Sequence, residues 1–190
     1  MVHDSGRRVT PTLNGFSALN DWVAEDTVII EEKLTATSTS EDGLNVLDLE
    51  YQLTSKDGVT LSRWAFSGFS LRGRKDGDIR IVSPAGLVTL PNPGHTKPES
   101  DWPDAPWYAS EQTLPDGSRI GAAVMNHPSN PPTLWHNHRD MRMINPCIVA
   151  PSEVKLAAGQ PLVLRYRVVT FDGVVPVGKL NALSPGFSAK

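Results

Sequence analysis

Three of the five histidines of this 190-residue chain lie within one stretch, residues 121–146. His136 and His138 are two residues apart, so both imidazoles point to one face if this segment is an extended strand. Asp140 is two residues further on, so its side chain would point to the same face if the strand continues. His127 precedes a proline-rich bend, and we expect it to approach the same face from a neighbouring strand. The stretch therefore predicts a site where imidazoles meet at the join of two strands.

Acid–base chemistry is the first function that these residues could perform. A histidine with a carboxylate partner can transfer protons at neutral pH, because unperturbed imidazole titrates near ~6.5. We predict that His136 is a general acid or base, that Asp140 orients it and that His127 is also catalytic. The polar and aromatic neighbours predicted to bind substrate are Asn130, Trp135, His138, Arg142 and Trp107. Such a site would suit a lyase, hydrolase or epimerase that modifies a sugar.

A metal-dependent enzyme is a second interpretation of the same imidazoles. His127, His136 and His138 are adequate ligands for zinc, iron, copper or manganese. Cupins use His-x-His on a strand in this way, but they place a Glu a few residues later, and residues 139–142 supply none. We therefore expect no cofactor, with a divalent metal held by the three histidines as the alternative.

A non-catalytic carbohydrate-binding module is a third interpretation, with Trp102, Trp107 and Trp135 as its stacking platform. A purely structural interpretation also remains, because histidines near strand ends often bond to backbone carbonyls and asparagines such as Asn130 often fix turns. The single cysteine, Cys147, excludes an internal disulfide and is expected to be a buried, unreactive thiol.

The elements that position these residues are predicted to be strands. The 15 glycines and 16 prolines separate short apolar stretches, a spacing typical of all-β domains. Asn14-Gly15 predicts a tight hairpin turn, and residues 91–106 predict a long loop. The predicted strands are 7–13, 16–23, 27–37, 44–54, 60–72, 79–83, 87–90, 105–112, 119–127, 152–156 and 162–171. No amphipathic helix is expected, and the tail after Gly173 has little periodicity.

Up to about twelve strands are too many for one flat sheet, so we predict an antiparallel β-sandwich in which residues 1–190 form a single domain. Two strands show the period of two that marks a half-buried strand. In the first, Leu47, Leu49, Tyr51 and Leu53 share a face; in the second, Leu162, Leu164, Tyr166 and Val168 do so, opposite Arg165 and Arg167.

Composition limits the partners. The formal net charge is −3 and the isoelectric point is near 5.9, which gives no electrostatic footprint for nucleic acid and no polybasic membrane patch. The first residues lack the features of a signal peptide, and no apolar run approaches ~18 residues, so we predict a cytoplasmic protein with no membrane span. The expected partner is a small-molecule or glycan ligand, and exposed edge strands would allow a homodimer.

The motifs resemble those of a bacterial family labelled PmoA or methane oxygenase. The resemblance rests on His127-Pro128-Ser129-Asn130 after an apolar strand, then Trp135-His136, then Asn145-Pro146, with residues 156–167 similar to that family's closing strands. It implies a galactose-mutarotase-like supersandwich or a jelly roll, and carbohydrate-linked activity, although the family's function is unknown. A literal methane oxygenase of the membrane type needs spanning helices, which this sequence lacks.

This sequence departs from the family's pattern in three ways. Asn126 replaces the usual Asp, His138 replaces the usual Arg, and the segment before the motifs is shorter and lacks a His-rich part. The resemblance therefore implies a shortened member, or the C-terminal portion of a longer family fold.

Overall fold

The computed structural model describes residues 2–189, with side chains described for residues 8–189. Antiparallel strands dominate this part of the chain, and one turn of 3-10 helix (Pro98–Ser100) and one α-helix, α1 (Val177–Ser188), accompany them. The strands are β1 (Val2–Thr12), β2 (Gly15–Ala24), β3 (Thr27–Glu41), β4 (Leu44–Thr54), β5 (Val59–Leu61), β6 (Leu71–Arg72), β7 (Asp78–Ser83), β8 (Gly86–Leu87), β9 (Trp107–Thr113), β10 (Arg119–Asn126), β11 (Leu134–Trp135), β12 (Met143–Ile144), β13 (Pro146–Cys147), β14 (Val154–Leu156) and β15 (Leu162–Asp172).

Nine strands form one sheet in the order β1-β2-β3-β4-β15-β10-β9-β7-β8. All their pairings are antiparallel, and β15 returns to the middle, between β4 and β10. The other strands form three two-stranded pieces, β5–β14, β6–β12 and β11–β13. Residues 147–150 and Leu156, which follow or belong to these pieces, pack on β4 and β15 and so form a second layer. The predicted all-β antiparallel sandwich class is confirmed.

The period of two on β4 and β15 separates the two faces of the sheet as predicted. Leu49, Leu53, Leu164 and Tyr166 pack under the second layer, on what we name the front face. The two arginines of β15 lie on the back face, where each meets a carboxylate of β4. Arg165 Nε donates to Glu50 Oε2 at 2.9 Å, and Arg167 makes two bonds to Asp48, at 2.5 and 2.8 Å.

Helix α1 covers part of the back face, although no amphipathic helix was expected and the tail after Gly173 has little periodicity. Its buried side chains, Leu180, Leu183 and Phe187, pack in one cluster with Trp107 and Met125. A proline and a glycine at positions 185 and 186 lower the helix propensity of this segment. Burial of its apolar face against the sheet stabilises the helix instead, and that contribution cannot be seen in local sequence.

The predicted strand 60–72 was wrong over most of its length. Only β5 and β6 remain at its two ends, and residues 62–70 form a connection that we name the aromatic loop. It carries Trp64, Phe66 and Phe69, residue types that favour strands. Gly68 adopts a φ of 67°, a left-handed conformation that suits glycine and takes the chain out of the strand.

The predicted loop 91–106 is confirmed, and we name it the proline loop. It contains the 3-10 turn Pro98–Ser100 and is bridged to β11 through Trp102 and Trp135. The stretch 134–147 folds back on itself as a hairpin, which we name the histidine hairpin. Trp135 pairs with Pro146, and His138 pairs with Met143. His136 and His138 thus lie in an extended segment that continues β11.

Candidate functional site

His136 forms a fully buried pair with Asp101 of the proline loop. The distance from His136 Nδ1 to Asp101 Oδ1 is 2.5 Å, and neither side chain has exposed surface. The backbone N–H of His136 donates to the Asn145 carbonyl at 2.9 Å, which fixes the residue across the hairpin. The predicted partner, Asp140, is exposed near the hairpin tip. The carboxylate that orients His136 is therefore Asp101, and the assignment of Asp140 to that role was wrong.

The pair retains unused hydrogen-bonding capacity. His136 Nε2 and Asp101 Oδ2 are buried, and neither has a hydrogen-bond partner among the described residues. Burial raises the pKa of Asp101, while the hydrogen bond from His136 acts in the opposite direction. The His136 ring packs against Phe66 of the aromatic loop in an edge-to-face arrangement, with ring centroids 4.2 Å apart.

His138 lies on the same side of the hairpin as His136, as the sequence predicted, with ring centroids 6.1 Å apart. Its Nε2 lies 3.2 Å from the Pro93 carbonyl, and its ring stacks on His95 at 4.8 Å. Burial, and then the charge of His95, lower the pKa of His138. The contacts of His138 thus join the histidine hairpin to the proline loop. It is buried, so the prediction that it binds substrate directly has no support from its position.

His127 lies elsewhere, and its predicted approach to His136 was wrong. Its Nδ1 is 2.7 Å from Ser129 Oγ, and its ring packs edge-on against Phe187 of α1, at 5.0 Å. Burial and the nearby Arg165 lower its pKa. Within the described residues, no group of three or more His, Cys, Asp or Glu side chains has the geometry of a metal site. The predicted three-imidazole ligand set is therefore not assembled in this structure.

Most of the residues predicted to bind substrate are instead held by contacts within the protein. The side-chain amide of Asn130 donates to the Arg165 carbonyl and accepts from the Arg165 N–H, both at 2.8 Å, so it fixes a turn. Trp107 and Trp135 are fully buried, and the Trp107 indole donates to Asn181 Oδ1 at 3.0 Å. Trp102 is also buried, so the predicted platform of Trp102, Trp107 and Trp135 was wrong.

Arg142 lies near the hairpin tip with a positive φ of 51°. Cys147 is buried as expected, and burial raises its pKa.

A cavity of about 650 Å³ lies between the front face and the aromatic loop. Its volume is within the ~300–1,000 Å³ typical of small-molecule sites. The wall is rich in aromatic rings, supplied by Trp22, Tyr51, Trp64, Phe66, Phe69 and Tyr166. Trp64 is 53% exposed and stands at the rim, whereas Trp102 of the proline loop and Trp107 of β9 are buried. This cavity could not be predicted from the sequence, because its walls come from segments far apart in the chain.

Glu32 is the one charged residue among those that line the cavity. It interrupts an apolar row on β3, where Ile30 and Ala36 face the core, and it is only 9% exposed. Asn20 Nδ2 donates to Oε1 at 2.8 Å, and Trp22 Nε1 donates to Oε2 at 3.0 Å. Burial, and then the charge of Glu32, raise the pKa of Tyr51 to about 12. A carboxylate within an apolar row is the sequence signal that could have identified Glu32.

The aromatic loop separates the cavity from the buried pair. Phe66 lines the cavity on one side and contacts the His136 ring on the other. Asn145 Nδ2 holds the loop by donating to the carbonyls of Ser67 and Phe69, at 2.8 and 2.7 Å. Ser67 Oγ also lies 3.2 Å from Cys147 Sγ. The loop is thus fastened to the histidine hairpin close to His136.

The fold and this site define an antiparallel β-sandwich with an aromatic cavity and a buried His–Asp pair beside it. The chain belongs to a family described as "Family of unknown function (DUF6807)", which matches residues 1–184. No curated protein matches it in sequence. The PmoA label stays a prediction, because the description of the matching family does not bear on it.

A solved structure titled "Putative kojibiose phosphorylase from human microbiome" is similar to 92% of this chain, with a TM-score of 0.44 and 8% identity. This chain spans 20% of the length of that protein. Similarity at this level carries no argument about a shared reaction. Among the described residues, no helix has both the length and the apolar character needed to cross a membrane.

Proposed function

We propose that the protein binds a carbohydrate in the cavity beneath the aromatic loop. The observation that carries the proposal is the lining, in which six aromatic side chains share the cavity with one fixed carboxylate. The C–H faces of a sugar ring pack on apolar aromatic surfaces, whereas its hydroxyl groups need hydrogen-bond acceptors such as Glu32. The cavity is large enough for a small sugar, and Trp64 at its rim is placed to cover one face of a ligand.

Calorimetric titration with a panel of mono- and disaccharides tests this proposal. We expect saturable binding to the wild-type protein and at least tenfold weaker binding to Trp64→Ala, because an aromatic stacking surface is lost. Leu87→Ala is the matched control, since Leu87 is 54% exposed and does not line the cavity. Absence of binding to any sugar, or equal binding by both variants, would contradict the proposal.

A second candidate is enzymatic turnover of the bound sugar by the His136–Asp101 pair. It is favoured by the unpartnered His136 Nε2 and by the contact of the His136 ring with Phe66, which lines the cavity. His136 would exchange a proton with the sugar through Nε2, while Asp101 would keep the imidazole oriented through Nδ1. Phe66 must move for this contact, because His136 has no exposed surface.

Product chromatography with wild-type protein and Asp101→Asn separates turnover from simple binding. We expect the variant to lose about 100-fold or more in kcat while it keeps its sugar affinity. His136→Ala is a poorer test, because it empties a buried site and leaves the Asp101 carboxylate unpaired, which would lower stability by about 3–5 kcal/mol. Binding by the wild-type protein with no product would leave the protein a carbohydrate-binding module.

A further inference from the structure

We infer that the cavity selects a ligand bearing a positive charge, specifically an amino sugar, and that Glu32 is the specificity-determining residue. This inference rests on the proposed function, because it names the class of sugar that would occupy the same cavity.

No cation in the cavity lining balances the charge of Glu32. A buried carboxylate is costly unless a cation or several hydrogen bonds compensate it. Its two donors, the Asn20 amide and the Trp22 indole, are neutral, and they supply one hydrogen bond to each oxygen. A carboxylate has about four acceptor positions, so capacity remains for a ligand. No Lys, Arg or His is present among the lining residues that the structure describes.

Aromatic rings share the cavity with that charge. The Trp22 indole bonds to Glu32, and Tyr51 is close enough for the Glu32 charge to raise its pKa. Trp64 and Phe66 line the same cavity. Aromatic faces attract ammonium groups, and the attraction grows when water is excluded. A cavity lined by a carboxylate and by aromatic rings therefore offers an ammonium group a charge-assisted hydrogen bond and nearby aromatic surface.

The same features act against other sugars. A uronate or a sugar phosphate would bring a second negative charge near Glu32, with no basic residue in the lining to offset it. A neutral sugar could still donate a hydroxyl hydrogen bond to Glu32, but it brings no positive charge to balance the buried carboxylate. We therefore expect the order of affinity to be amino sugar, then neutral sugar, then acidic sugar.

The experiment compares glucosamine, glucose and glucuronate by calorimetric titration, at a pH where the amine is protonated. We expect wild-type protein to prefer glucosamine over glucose by at least tenfold and to bind glucuronate least. In Glu32→Gln the preference for glucosamine should fall to about twofold or less. Glu31→Gln, the adjacent position on the exposed face of β3, is the matched control and should keep the preference. Melting temperatures check that each variant is folded.

Tetramethylammonium is a further probe that needs no variant and contains no sugar. Equal binding of glucosamine and glucose, or a preference that survives in folded Glu32→Gln, would overturn the inference while the proposed sugar binding stands. Binding of tetramethylammonium with no sugar bound would overturn the proposed function and keep the cation site. Binding of none of these ligands would overturn both.

Discussion

At the scale of single residues, burial decides which titratable groups can act. His136 and Asp101 are 35 positions apart, and both side chains lie in the interior. The sequence could predict that His136 and His138 share a face, because they are two positions apart in an extended segment. It could not predict Asp101 as the partner, because the proline loop has no periodicity that would place its side chains. Asp140 would share the face of His136 only in a continuous strand, and a turn begins at Arg139.

The lowered pKa values of two histidines, His138 and His127, predict how the free energy of unfolding depends on pH. Burial lowers the pKa of His138 below the ~6.5 expected in the unfolded chain. In the interval between these two values the unfolded chain binds more protons, so the free energy of unfolding decreases as the pH falls through it. We expect a smaller decrease in His138→Gln, measured by urea unfolding between about pH 5 and pH 8. His127 acts in the same direction, because its pKa is also lowered.

Asp101 has the opposite effect on the pH dependence of the free energy of unfolding. Its pKa is raised, so its contribution to the free energy of unfolding decreases as the pH rises from about 3.9 through the folded value. The comparison between wild type and His138→Gln isolates His138, because Asp101 is common to both proteins. An identical pH profile in the two proteins would show that His138 does not titrate differently on folding.

At the scale of elements, local pattern was informative for strands and misleading for the aromatic loop. The bounds of β4 were predicted as found, because its residues alternate cleanly between two faces. Trp64, Phe66 and Phe69 have high strand propensity, and this favoured a strand in place of a loop. Their actual position depends on Asn145, which follows them by more than 70 residues. Contacts between such distant residues cannot be read from periodicity.

Asn145 should therefore be a positioning residue for the cavity. Asn145→Leu has a side chain of similar size but removes both donors to the aromatic loop, leaving the carbonyls of Ser67 and Phe69 without them. We expect a loss of about 2–4 kcal/mol in the free energy of unfolding, and sugar binding weakened by about tenfold or more. Asn130→Leu is the matched control, because Asn130 is also buried and bonded to backbone, but away from the cavity. It should lose stability and keep its affinity; equal losses of affinity in both variants would refute the role of Asn145.

At the scale of the whole molecule, the class of fold was predictable and its topology was not. Glycine and proline spacing indicated many short strands, and their number favoured two layers. The place of β15 between β4 and β10 depends on pairings with β4 across more than 100 residues and with β10 across 40 to 52 residues, which leave no mark in local sequence. Helix α1 was missed for a related reason, since it is stabilised by the sheet surface that it covers.

The two faces of the sheet should contribute separately to stability and to binding. Leu180 of α1 lies on the back face and Leu53 of β4 lines the cavity on the front face; they are 0% and 3% exposed. Replacing either by alanine leaves a space in a packed interior, so each variant should lose about 2–5 kcal/mol in the free energy of unfolding. Urea unfolding measures that loss, and titration with the sugar ligand measures affinity.

We expect Leu53→Ala to weaken binding by about tenfold and Leu180→Ala to leave it unchanged, because Leu53 lines the cavity and Leu180 does not. Weaker binding by folded Leu180→Ala would mean that α1 and the cavity are coupled through the sheet.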